Sequence, residues 1–280
     1  MSTVFYPAEP LAGEHAANTP HSTPRAAAVL REQFRAVGVA ARGEMVVAGV
    51  LMLGVTVLMV LYHVNWGSGG FDMLDMRMPL FGLGLFAPLA VWRNEAPSRR
   101  GYLWALPVDR SRNTLARLLG GWSWVMLVAA ALMLWSLGAT LAANGGLGND
   151  LAAPHGEPWM LLLPFTGATV AYLIGSTVVL ATDYPWRWTA GGIFLFGVLL
   201  QLTEAMRDPW LERLLTSVFA GRYGLISVAT GTVGVRTRAA SGAIDFRMVP
   251  DQQAWLVATL IWSAIAFAAV LAAAYRHQER

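Results

Sequence analysis

Long apolar runs alternate with short polar segments along most of this chain. The pattern predicts helical spans at residues 45–64, 78–92, 121–143, 159–182, 189–204 and 255–275. Most of them approach the ~20 residues that cross a hydrocarbon core. The second run is short, because fifteen residues rise only about 22 Å. Either its helix begins before Met78, or Arg77 and Arg93 snorkel while the bilayer thins. Trp66, Trp92, Trp122, Trp159, Trp186, Trp188 and Trp255 fall near the predicted span ends, where indole rings favour the interface. Trp135 and Trp262 fall inside spans and read as packing residues.

The flanking segments complete the layout. Residues 1–24, with Pro7, Pro10, Pro20 and Pro24, read as a disordered cytoplasmic tail without a cleaved signal peptide. From 25 to 43 the period is helical. Leu30, Phe34, Val37 and Ala41 share one face, and Arg31, Arg35 and Arg42 share another. Such a helix lies in the headgroup plane, the plainer alternative being an amphipathic helix packed on the protein. Residues 205–253 are ambiguous. A seventh span at 214–235 would place Arg222 near its middle, at a cost of about 2.5–3.5 kcal/mol. The reading preferred here is an outer segment with one or two short helices dipping into the membrane. Residues 276–280 form a short inner tail.

Composition agrees with a membrane chain. Of the 280 residues, 56% are hydrophobic and 13% charged, against about 25% charged in an average soluble domain. All twenty positive residues are Arg. Without Lys the chain cannot be a P-loop ATPase, whose Lys reaches the terminal phosphates. Without Cys it has no disulfide, thiolate metal site or Cys nucleophile. The Arg residues lie beside spans and form no extended basic groove, so nucleic acid is excluded as a partner. Gly82-Leu-Gly84-Leu-Phe-Ala87 matches a loose dinucleotide pattern but sits inside an apolar run, without the strand that motif requires.

Charge sets the orientation. Residues 93–120 carry Arg93, Arg99, Arg100, Arg110, Arg112 and Arg117 between two apolar runs, so this loop is expected on the cytoplasmic side. Six spans leave thirteen Arg inside and seven outside, with both termini cytoplasmic. Catalytic patterns are nearly absent. There is no HExxH or GxSxG, and the five His are scattered. No metal, cofactor or catalytic residue is predicted. Glu204, at the end of the short fifth run, is the best candidate for lining a pathway. Gly167, Ala171 and Gly175 recur every four residues, a face that permits close helix approach without naming a function.

The inner loop holds the one informative motif: Glu95, then Gly101, then Leu106-Pro107-Val108, then Arg110, then Arg117 at the next helix start. This order resembles the loop between the second and third spans of type-2 ABC transporter permeases. Asp109 stands where that family usually has Ser, Tyr102 where it has Thr, and Arg117 where Lys is common. The resemblance extends to the layout: an interfacial helix, six spans, a long outer segment before the last span and a short inner tail. It implies an all-α integral membrane protein of a bacterial inner membrane. It implies also a homodimer or paired permease, separate P-loop ATPase subunits on the cytoplasmic face, and alternating access without chemistry of its own. In that role Glu95, Arg99 and Arg100 would receive the ATPase, and a short helix through Leu115 and Leu118 would act as a lever. A lipid-modifying membrane enzyme and a non-transporting anchor for a soluble partner are the competing readings. The first requires polar residues gathered at one interface, and the second leaves 205–253 unexplained.

Overall fold

The computed structural model describes residues 26–40, 77–93, 110–144, 158–206, 216–238 and 244–279, with Trp210 and single positions or pairs between 42 and 61. Among these residues the chain is mostly helical, 89% by residue. Helix α1 is Ala26–Ala40, α2 is Arg77–Val91 and α3 is Arg110–Asn144. A 3-10 turn, Pro158–Leu162, leads into α4, Leu163–Ala181, and a three-residue turn separates it from α5, Pro185–Met206. A π turn at Thr216–Ala220 and the short helix α6, Leu225–Thr230, precede strands β1, Thr232–Arg238, and β2, Ile244–Pro250. Helix α7, Gln252–Glu279, ends the fold.

Among the described residues, three helical stretches are long and apolar enough to cross a membrane: Asn113–Ala139, Trp159–Ala181 and Gln252–Arg276. Helix α2 has the right character but only fifteen residues. The described positions between 42 and 61 are helical, and Val46, Val47, Val50, Leu53, Val57, Leu58 and Leu61 among them are exposed. Apolar side chains also cover the outer faces of α5 (Ile193, Phe194, Leu195) and α7 (Leu256, Leu260, Ile261, Ile265, Phe267). Faces of this extent are costly in water and neutral in hydrocarbon.

The core is built on α4. Val170, Ala171 and Tyr172 are fully buried. Helices α2 and α4 meet almost backbone to backbone. Gly84 lies directly against the Ala168 carbonyl, and Gly175 against Leu85 and Pro88, so a Cβ at either position would collide with main chain. The small-residue face of the sequence, Gly167, Ala171 and Gly175, is thus the seam of the tightest helix pair. Gly167 faces Phe81 and Ala229 at the same seam. Because Phe81 meets residue 167 and Pro88 meets residue 175, α2 and α4 run parallel. Helix α3 runs against them, with Ala129 and Met133 packed on Leu80 near one end and Gly121 on Val91 near the other. Helix α7 is parallel to α4. Trp255 stacks on Trp159 at 5.0 Å, and Ala258 joins Val170. Val270, Ala273 and Ala274 reach the cluster that holds Leu180.

Four sequence expectations need correction. First, α3 begins at Arg110 and runs on into the span, so the short helix expected through Leu115 and Leu118 is not separate from the third span. The helix is 35 residues long, about 52 Å, which leaves about 20 Å beyond a 30 Å core. Second, the fifth helix starts at Pro185 rather than 189, since proline is suited to a first turn. Third, the segment before α7 contains an antiparallel ribbon with Thr232 opposite Pro250 and Arg238 opposite Ile244, so the chain is not all-α. Residues 214–235 therefore make no continuous seventh helix. Helix α6 stops at Gly231, whose φ of 68° is a left-handed cap suited to glycine, and the chain turns into β1. Fourth, Trp92, Trp159 and Trp255 are buried inside the protein, whereas Trp135 is exposed.

Candidate functional site

The end of the bundle that carries the basic segment is closed by a buried knot drawn from five helices. Val37 of α1, Val91 of α2 with the adjoining Trp92, Leu118 of α3, Tyr172 and Leu180 of α4, and Val270 of α7 form one cluster. Arg93, Arg187 and Arg276 lie at helix ends on this side, with Arg110 and Arg112 on the first turn of α3.

Arg117 holds the roots of the basic segment together. Helix α2 ends with backbone bonds from Trp92 to Pro88 and from Arg93 to Ala90, and its Val91 carbonyl accepts side-chain donors from α3. The Arg117 guanidinium supplies two: Nε at 3.1 Å and Nη2 at 2.7 Å from the Val91 oxygen. The same group lies over the Trp92 ring, 5.2 Å from its centroid. A cation at a helix C-terminus also opposes the negative end of the dipole. Sequence alone places Arg117 on an outward coupling surface. Its contacts with Val91 and Trp92 instead turn it inward, where it ties α3 to the end of α2.

A second polar tie lies one turn further along. The Tyr172 hydroxyl donates to the Leu118 carbonyl at 3.0 Å. Gly121 makes this possible, since a Cβ there would strike the Tyr172 hydroxyl and crowd Val91. Buried tyrosines need such a partner, and Tyr172, the lone tyrosine of this predominantly apolar helix, is the signal that sequence reading passes over.

Helix α1 docks on the projecting N-terminal part of α3. Phe34 stacks on Trp124 with centroids 4.7 Å apart and planes 10° from parallel, and Trp124 Nε1 donates to the Phe34 carbonyl at 2.7 Å. Gln33 Nε2 donates to Asn113 Oδ1 at 2.7 Å. Gly38 and Gly120 let the two helices approach, with a Cβ at Gly38 reaching 2.5 Å from the indole. Half of the apolar stripe read from the sequence, Phe34 and Val37, is thus spent on protein packing. Leu30, Arg31, Arg35 and Arg42 remain exposed.

Of the remaining residues singled out from the sequence, Glu95, Arg99, Arg100, Gly101, Leu106, Pro107 and Val108 lie outside the described residues. Arg110 is the first residue of α3. Glu204 lies in the last turn of α5, where only the backbone is described. Among the described residues no three His, Asp or Glu gather as a metal site. A force applied to segment 94–109 meets two roots that are bonded to each other, to α4 through Tyr172, and to α1 through α3. Comparison with protein-family models, with curated proteins and with solved structures returns no match for this chain.

Proposed function

We propose that this chain is the membrane subunit of an ATP-driven transporter of the type-2 ABC kind, an exporter working as a homodimer with separate P-loop ATPase subunits. In this reading the chain crosses a bacterial inner membrane six times. Both termini are cytoplasmic, α1 lies along the inner headgroups, and segment 93–120 receives the ATPase. The membrane part rests on the three apolar helices and the exposed apolar faces of α5 and α7. The coupling part rests on one observation above the others: the Arg117 clamp on Val91 and Trp92, which makes both ends of the basic segment one mechanical unit. A segment that only fixed orientation by its charge would need no such joint.

The helix continuing without interruption from Arg110 to Asn144 refines the lever. A displacement delivered at Arg110 is carried along α3 itself, with no hinge between the receiving end and the span. Its own residues do no covalent chemistry. They bias two conformations whose affinities for cargo differ, and ATP binding in the partner supplies the differential. The test is co-expression with candidate P-loop ATPases from neighbouring reading frames. The unsubstituted chain should retain one of them through purification, and charge reversal by R99E and R100E should release it. Undiminished retention and ATP turnover in that variant would overturn the docking claim.

A further inference from the structure

The ribbon at the other end of the molecule plays no part in the coupling described above. It is short, seven residues in each strand, and no third strand joins it among the described residues. An isolated two-stranded ribbon is marginally stable in water, and its unpaired edges invite a covering surface. Its base, by contrast, is pinned. The Asp251 amide donates to the Gly231 carbonyl at 3.1 Å, and Asp251 Oδ1 accepts from Ala254 at 2.9 Å, capping α7. Arg222 meets Asp251 at 3.3 Å. Arg77 donates to the Thr230 carbonyl at 2.9 Å, just before the base. Gly231 packs on the Leu163 and Trp159 side chains.

The level of that base is informative. Pro250 stands two positions before Gln252, where the most apolar candidate span begins. Apolar residues are exposed on α7 from Leu256 onward. The ribbon thus leaves the bundle where polar sequence gives way to hydrocarbon-length sequence. Its length is about 23 Å, which covers several headgroups if it lies along that level. The register sorts its residues. On one face β2 contributes Ile244, Phe246, Met248 and Pro250, and β1 contributes Arg238 opposite Ile244 and Arg236 opposite Phe246. By register, the apolar positions of β2 and the two arginine positions of β1 thus fall on one face. With Arg247 and Asp245 included, the two strands carry three positive charges and one negative.

We infer that this ribbon is a docking element for anionic phospholipid headgroups, with the Ile244–Phe246–Met248 row at the acyl boundary and Arg236 and Arg238 at the phosphates. The occupant follows from charge and level: the nearest extended anionic surface to a basic ribbon rooted at the hydrocarbon edge is the membrane it emerges from. Arginine near such a surface contributes about 1 kcal/mol each, so removing two charges should lower the docked-to-undocked ratio about thirty-fold. The inference requires a membrane around the bundle and is independent of any ATPase.

The chain has no native cysteine, so F246C can carry a single environment-sensitive fluorophore in the full-length protein. The labelled protein is placed in nanodiscs of phosphatidylcholine alone or mixed with phosphatidylglycerol. Quenching by iodide reports water, and quenching by a spin-labelled lipid reports the bilayer. The expected result is protection from iodide and quenching by lipid in the anionic discs only, both lost when R236Q and R238Q are added. Should the double variant fold poorly, raising salt from roughly 0.05 to 0.5 M on the F246C protein alone should release the ribbon, because the Debye length shrinks. Equal protection in both lipids, insensitivity to salt and charge removal, or protection arising only on addition of a soluble acidic protein would each overturn the inference.

Discussion

Replacing Arg117 with Met keeps an unbranched apolar stem and removes the clamp. The wild-type guanidinium makes two hydrogen bonds to a single carbonyl, at 3.1 and 2.7 Å. A bond to a charged donor is worth about 1.5–3 kcal/mol, and two that share one acceptor do not add fully. The contact over Trp92 contributes about 0.5–1 kcal/mol at a partly exposed site. R117M should therefore destabilise the protein by about 2–3 kcal/mol. R117K, which keeps the charge but loses the planar fork, should recover about half of that. W92L should cost the ring contact and its packing while leaving the bonds to Val91, so the pair R117M and W92L should couple by about 0.5–1 kcal/mol in a double-mutant cycle. Reversible unfolding in bicelles by steric trapping measures these differences directly. If R117M unfolds within about 0.5 kcal/mol of the parent, the usual scatter for an unremarkable surface substitution, Arg117 is not the joint described here.

Further outcomes follow from the packing at three places. G175L should abolish folding, or lower stability by more than about 3 kcal/mol, because it forces Leu85 and Pro88 away from α4. G82A, where nothing lies within 4 Å, should be neutral or stabilising by up to about 1 kcal/mol, and monodispersity with melting temperature distinguishes the two. W124F should cost about 1 kcal/mol for the bond to Phe34 while keeping the stack. W124A should release α1 altogether, seen as faster proteolysis after Arg31 and Arg35. G231A forces an alanine to φ 68° against Leu163 and Trp159. That should cost about 1–2 kcal/mol and raise amide exchange across α6 and β1 in preference to α2 and α4.

Sequence patterning located most helices because bilayer-length apolar runs have few alternatives. The Gly167–Ala171–Gly175 face was legible as packing for the same reason: small residues at four-residue spacing have one structural use in an apolar helix. Other features were hidden by physics that patterning does not carry. The helix through Leu115 and Leu118 reads as a piece separate from the span because Arg110, Arg112 and Arg117 make it polar, yet arginine is a good helix former and the run simply extends α3 beyond the hydrocarbon. An arginine at a span end reads as outward whether it meets solvent or caps a neighbouring helix, so the turn of Arg117 toward Val91 was invisible. Trp92, Trp159 and Trp255 were assigned to an interface by position, and only tertiary packing shows them enclosed. The ribbon was missed because the apolar, Gly-, Ser- and Thr-rich residues 225–235 suit a short helix or a strand equally well. The left-handed turn at Gly231 divides them between the two.

In the proposed function the end of the bundle closed by Arg117 and Trp92 faces the cell interior and takes up work there. Single cysteines at Arg99 and at Tyr275, introduced into a chain with none of its own, can be offered a membrane-impermeant maleimide in intact cells and again after permeabilisation. The account predicts that both positions stay unlabelled until the membrane is opened and then react together. Labelling of the Arg99 position in intact cells would contradict it.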